Sequence, residues 1–238
     1  MSHVKKFILW FQELSQYLIQ DKVVKETLFI KEKWKYNVYK YINFILSFII
    51  FIPIVISLIE MNIPHFINFS VCAFGIYLTW IFERVTKSTI FKEMKTYTIV
   101  QISLHSFFGS WLEFYDRFEY FDDILHISGG IWFSFIIFPI ILGSELAYSR
   151  SKIPSLLWKV NIFTFSLSVT FGVFWEILEF TSDQIFQNYP GYRLTQEGSL
   201  IDTMGDLIFD CVGAVLGIML FWAIINQLNK NRDMKIYW

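Results

Sequence analysis

The chain has 238 residues, of which 55% are hydrophobic, 20% aromatic and 17% charged, with a formal net charge of −1. Its mean hydropathy of +0.46 is too apolar for an ordinary soluble domain of this length, which excludes a purely aqueous globular protein. No nucleic-acid partner is expected, and membrane lipids are the expected surroundings.

Residues 1–40 come first. Phe7, Phe11, Leu14 and Leu18 recur at helical spacing among Lys5, Lys6, Gln12, Glu13 and Gln16. The pattern predicts an amphipathic helix, either on the cytoplasmic leaflet or packed against the bundle as a soluble helix. The apolar stretch 7–11 is too short for a signal peptide. Residues 22–40 make a basic approach to the first apolar run.

A bilayer-crossing helix takes about 20 residues at 1.5 Å each. The nearly charge-free runs 41–59, 66–82, 124–142 and 160–174 meet this, the last continuing to 180 with two glutamates, and 207–225 is interrupted only by Asp210. The segment 97–114 carries Gln101, Ser103, His105, Ser106, Gly109 and Ser110, a composition that suits a bundle interior or a re-entrant segment rather than a lipid-facing helix. Counting it as a span puts every Lys and Arg except Arg117 and Arg193 on one side. Omitting it moves Arg150, Lys152 and Lys159 to the other side, against the tendency of cytoplasmic loops to collect positive charge. The expected fold is therefore all-α: a polytopic transmembrane bundle of six spans over 41–226 in a cell membrane, with a cytoplasmic tail at 227–238 and both termini cytoplasmic. No repeat or second domain is evident. Cys72 and Cys211 sit in separate runs without metal-type spacing and read as packing residues. Asn68 matches a glycosylation acceptor only formally, because it lies within a run.

More than half of the 21 acidic residues fall on the side opposite the Lys and Arg. Glu119 and Glu197 read as solvated loop residues, and Glu113 with Arg117 as an i, i+4 surface pair. Other acids continue into apolar helices. Asp202, Asp206 and Asp210 share one face with Gly213, Ala214 and Gly217, which predicts close packing into the bundle. Glu176, Glu179 and Asp183 form a second stripe, and Asp122 or Asp123 leads to His126, Gly130 and Ser134 in a third. A carboxylate at the centre of a span costs roughly 2.5–3.5 kcal/mol. It requires protonation, a cationic side chain, a helix dipole or a bound cation in compensation.

The residues suit a divalent cation, with Asp122, Asp123, His126, Glu179, Asp202 and Asp210 as candidate ligands for Zn, Mn, Mg or Ca and Glu176 or Asp206 as candidate general base. Without metal, His126 would hydrogen-bond Asp122 or Asp123. His105 is expected to make an interior polar contact, and His65 to lie at the interface.

The segments Phe121-Asp122-Asp123-Ile124-Leu125-His126, Trp175-Glu176-Ile177-Leu178-Glu179-Phe180 and Ser199 to Ala214, in that order, resemble the prokaryotic integral membrane proteins grouped as domain of unknown function 2238. The likeness covers about 97–221. It implies a shared polar core and no particular reaction. A more distant likeness is to VanZ-like membrane proteins linked to glycopeptide resistance, although Asp206 and Asp210 precede Gly213 where an Asn is also expected; by analogy it suggests a role with envelope glycolipids.

Three functional classes follow. One is a metal-dependent hydrolase or transferase acting on lipid-linked or phosphorylated head groups. The second is a proton- or cation-coupled transporter, for which a six-span protomer could form a homo-oligomer, though no inverted repeat is apparent. The third is a non-catalytic envelope protein whose polar core fixes helix packing.

Overall fold

The computed structural model describes residues 33–86, 90, 92–148, 157–197 and 199–230, and the described residues are helical apart from turns and short connections. The N-terminal amphipathic segment 1–32 and the tail 231–238 lie outside them. In chain order the elements are α1 (Lys33–Ile49), α2 (Phe51–Ile59), α3 (Ile63–Thr86), α4 (Lys92–Ser103), a π-helix (Leu104–Trp111), the short α5 (Phe114–Arg117), α6 (Phe121–Tyr148), α7 (Leu157–Phe186) and α8 (Leu200–Lys230).

Five segments are long and apolar enough to cross a membrane: Val38–Ile59, Ile63–Val85, Phe121–Leu142, Trp158–Phe186 and Leu200–Ile224. The first joins α1 and α2 across Ile50. Pro53 explains the break there, because it has no N–H to offer the Ile49 carbonyl one turn back. α8 begins at Leu200, seven residues before its predicted apolar run. The extra turns carry Asp202 and Asp206, acids that hydropathy reads as the end of a span but that a helix N-terminus favours.

The predicted sixth span takes a different form. Residues 92–111 are helical throughout, yet they fall short of the other five in apolarity, and α4 alone has only 12 residues. Their polar side chains bond to α6. Gln101 donates to the Leu125 carbonyl at 3.0 Å and accepts from Ser128 Oγ at 2.9 Å. Trp132 Nε1 donates to Thr98 Oγ1 at 2.9 Å, and Tyr97 OH to the Ser128 carbonyl at 2.8 Å. Ser103 and Ser106 are fully buried. Hydrogen bonds to a neighbouring helix thus replace those that lipid cannot offer.

The segment then widens into a π-helix, a rare conformation found often at functional sites. Leu112 N–H reaches back five residues to the Phe107 carbonyl at 3.0 Å, and Glu113 ends the run in the left-handed region, φ 59°. Gly109 is required here. A Cβ would stand 2.9 Å from Cζ of Tyr115, whose ring folds under the π-helix so that its hydroxyl meets His105 Nδ1 at 2.6 Å.

α6 and α8 make the most extensive helix pair in the fold, and glycines set their separation. A Cβ on Gly130 would lie 2.5 Å from the Asp210 carbonyl oxygen and 2.8 Å from the Ala214 nitrogen. Gly217 packs likewise, 2.6 Å from Ser134 Cβ. Ser134 Oγ donates to the Ala214 carbonyl and pairs with Ser168 on α7, both at 3.1 Å, which ties three helices at one level. α1 to α4 form a second cluster around Ile50, Phe69, Cys72, Ala73, Ile76 and Ile99. Cys72 is buried there as a packing residue.

α6 and α8 start, and α7 ends, at the same end of the bundle, where the loops are bonded together. Arg193 Nε donates to Asp116 at 2.7 Å, and Tyr189 OH to the Met61 carbonyl at 2.7 Å. These bonds tie the loops together at the end of the bundle that carries the acidic stripes.

Candidate functional site

Helical spacing explains how three helices deliver acids to one place. Asp122 and His126 stand one turn apart on α6; Glu176, Glu179 and Asp183 follow at i, i+3, i+7 on α7; Asp202, Asp206 and Asp210 follow at i, i+4, i+8 on α8. Because α6 and α8 touch at Gly130, the turn before that contact brings His126 against Asp206 and Asp210. Gly172 on α7 admits the third helix: a Cβ there would stand 2.7 Å from Asp210 Cγ.

His126 is the centre of the resulting cluster. Its Nε2 lies 3.6 Å from Asp122 Oδ1, 3.7 Å from Glu176 Oε1 and 3.8 Å from Asp206 Oδ1, while Nδ1 lies 3.3 Å from Asp210 Oδ1. Ligand atoms of Asp122, His126 and Asp206 lie within 4.8 Å of one another. Exposure is 6% for His126, 5% for Glu176, 2% for Asp206 and 5% for Asp210. Among the described residues, buried oxygens of Glu176, Glu179, Asp202, Asp206 and Asp210 have no hydrogen-bond partner. An unpartnered buried carboxylate oxygen is costly, so three such acids around one imidazole and two more close by leave a large demand for positive charge.

The acids expected from the sequence separate into three groups. Asp122, Glu176, Asp206 and Asp210 surround His126 directly. Glu179 and Asp202 form a tier one turn nearer the loops; Glu179 Oε1 accepts from Trp175 Nε1 at 2.9 Å, and its other oxygen is unpartnered. Asp123 lies about 100° around α6 from Asp122, and no ion pair joins it to His126 among the described residues, so Asp122 is the acid of that pair that meets the imidazole. His105 behaves as an interior polar residue, bonded to Tyr115 and edge-on to the Trp175 ring at 4.7 Å. His65 pairs locally with Asn62 at 3.3 Å.

Asp183 differs from its neighbours on the α7 stripe. Its Oδ1 accepts from Tyr192 OH at 3.0 Å and from Thr195 N and Oγ1 at 2.8 Å each, and its Oδ2 from Gln196 N at 3.1 Å. It is a fully bonded anchor for the loop 187–199. The same loop sends Gln196 Nε2 toward Glu176 at 3.5 Å. Arg193 clamps Asp116 and Glu197, the latter at 2.8 Å, with its guanidinium 5.3 Å from the Tyr115 ring centre. Partial burial works against the charge of Arg193, but Asp116, Glu197 and Asp122 outweigh it and hold the guanidinium more firmly protonated than usual. Its field therefore reaches the edge of the cluster. Glu113 and Arg117 form the expected exposed i, i+4 pair at 2.9 Å.

Sequence periodicity could not assign roles to Gly172, Trp175, Gln196 or the anchoring side of Asp183. Each depends on a contact between elements distant in the chain.

Residues 42–227 match the family described as "Predicted membrane protein (DUF2238)", a longer stretch than the motifs alone suggested, taking in α2, α3 and the C-terminal half of α1. An uncharacterised protein of Thermotoga maritima is 32% identical over 172 residues, which is 72% of this chain and 84% of that protein. No solved structure matches the chain. The family match covers nearly all of the five segments apolar enough to cross a membrane and the polar cluster between them, and the chain belongs to the DUF2238 family of membrane proteins.

Proposed function

We propose that the cluster binds one divalent cation through His126 Nε2, Asp122 and Asp206, and uses it for hydrolysis or transfer at lipid-linked or phosphorylated head groups. One observation carries this reading. Carboxylate oxygens from three helices converge on His126 Nε2 at 3.6, 3.7 and 3.8 Å, too far for hydrogen bonds but near the spacing of ligands sharing an ion. With cation–ligand distances of about 2.0–2.2 Å, tetrahedral partners stand about 3.3–3.6 Å apart.

Asp210 supports the reading from the other side of the ring. A carboxylate on Nδ1 fixes the tautomer that leaves Nε2 free to ligate, as in carboxylate–histidine–metal arrangements. Glu176 supplies the third carboxylate at Nε2 and is the candidate general base, because it also borders the cleft between α7 and α8. A bound cation would polarise a phosphoryl or carbonyl oxygen and lower the pKa of water. Glu179 and Asp202 add negative charge one turn away, which favours retention of a divalent ion. The distribution of Lys and Arg supports a cell-membrane topology with both termini cytoplasmic and the cluster facing outward.

The test joins metal titration of chelator-treated protein to an assay of head-group release from phosphatidic acid in mixed micelles. Saturable binding of one ion per chain, with release that needs the ion and is lost in Glu176→Gln, is the expected result. Metal binding without any release would turn the site toward cation transport, and absence of binding would turn it toward a proton relay or a structural polar core.

A further inference from the structure

We propose that the cleft between α7 and α8 is a lateral entrance through which an anionic membrane lipid brings its head group to the cluster while its chain stays in the bilayer. The inference rests on the metal-site reading above and narrows it from phosphorylated compounds at large to lipids.

The cleft encloses about 590 Å³, within the range of roughly 300–1,000 Å³ typical of ligand sites. Val173, Ile177, Leu200 and Leu207 line it, with Glu176 and Gln196. Ile177 and Leu200 are 51% and 77% exposed, and both lie in segments long and apolar enough to cross a membrane. Glu176 is the inner wall: it is buried, its Oε1 has no partner, and that oxygen stands 3.7 Å from His126 Nε2. The cleft's polar end and the cluster are therefore the same carboxylate.

At the other end of the cleft the loops are bonded together. Asp183 holds the backbone of Thr195 and Gln196, and Arg193 clamps Asp116 and Glu197. A lipid would enter along the apolar wall of Val173, Ile177 and Leu207, with its head group toward Glu176 and Gln196. An anionic head group complements a cation held at the cluster, and without the cation the acids would repel it.

The experiment uses the purified full-length protein in nanodiscs with phosphatidic acid that carries a diazirine in its acyl chain, beside diacylglycerol with the same chain. Photolabelled peptides are mapped by mass spectrometry, and bound metal is counted in the same samples. Phosphatidic acid is expected to label the segments around Ile177 and 200–207 about tenfold more than diacylglycerol does, a preference of about 1.4 kcal/mol. Thr203→Trp, which fills the cleft from α8, should lower that labelling to a similar degree and leave the metal content unchanged; Val173→Trp fills it from α7 should the first variant fail to fold. Equal labelling by both lipids, label spread evenly over the outward helix faces, or full labelling of both filled variants would overturn the proposal. Metal bound at one per chain with no lipid preference rejects the cleft alone. A preference that survives chelation rejects the cation's part in it and leaves the cleft standing.

Discussion

Gly130→Ala probes the contact that sets the geometry of the cluster. The added Cβ would meet three backbone atoms of α8, at 2.5 Å from the Asp210 oxygen, 2.8 Å from the Ala214 nitrogen and 2.9 Å from the Gly213 carbon. Against ordinary van der Waals separations the first contact is short by about 1 Å, and neither backbone can rotate out of the way as a side chain would. The helices must part, and overpacking of this kind costs about 1–3 kcal/mol. For a chain of this length that is roughly 2–4 °C of melting temperature per kcal/mol. The comparison is Gly205→Ala on the outer turn of α8, whose Cβ would have its nearest neighbour at 4.0 Å and which gains helix propensity of about 0.5–1 kcal/mol. Thermal unfolding in detergent, followed by tryptophan fluorescence, should show Gly130→Ala clearly below the wild type and Gly205→Ala at or above it. Equal melting of the two variants would refute the backbone-on-backbone contact, and with it the placing of His126 by helix approach.

Asp183→Ala removes the acceptor for four hydrogen bonds and leaves the Thr195 and Gln196 amides unpaired, at about 1–3 kcal/mol; hydrogen exchange at those amides should quicken while exchange in α6 stays unchanged, and unaltered protection at 195–196 would contradict the anchoring role. Arg193→Gln breaks the links to Asp116 and Glu197, both more than half exposed, so the stability loss should stay within about 1 kcal/mol. That loss should shrink as salt is raised, and a loss indifferent to salt would mean that the guanidinium acts by packing on Tyr115 rather than by charge.

The fold was legible in the sequence where hydropathy alone decides it. The five apolar segments appear within a turn or so of their expected bounds, except where α8 begins two turns early under Asp202 and Asp206 and α7 runs on past Asp183 to Phe186. Asp202 lies in the first turn of α8, where a helix N-terminus favours an acid, and Asp183 in the last turn of α7 is held by hydrogen bonds from Tyr192, Thr195 and Gln196. The polar segment 92–111 was legible as an interior helix, but its π-helical half was not, because that geometry answers to Tyr115 seated against Gly109. The acidic stripes on α7 and α8 follow from helical periodicity, and Asp206 and Asp210 are buried on the face that Gly213 and Gly217 predicted. Spacing could not tell Asp122 from Asp123, nor show that Asp183 spends both oxygens on a loop while Glu176, in the same stripe, leaves one bare. Those distinctions depend on residues 187–199, whose path no periodicity describes.

Whether Asp122, His126 and Asp206 hold a divalent cation is tested most directly by elemental analysis of the detergent-purified protein after removal of loosely bound ions, with Asp206→Asn measured in parallel. The account predicts close to one divalent ion per wild-type chain and a large loss in the variant at an unchanged melting profile of the metal-free proteins. No stoichiometric metal in the wild type, or equal metal in both proteins, would contradict it.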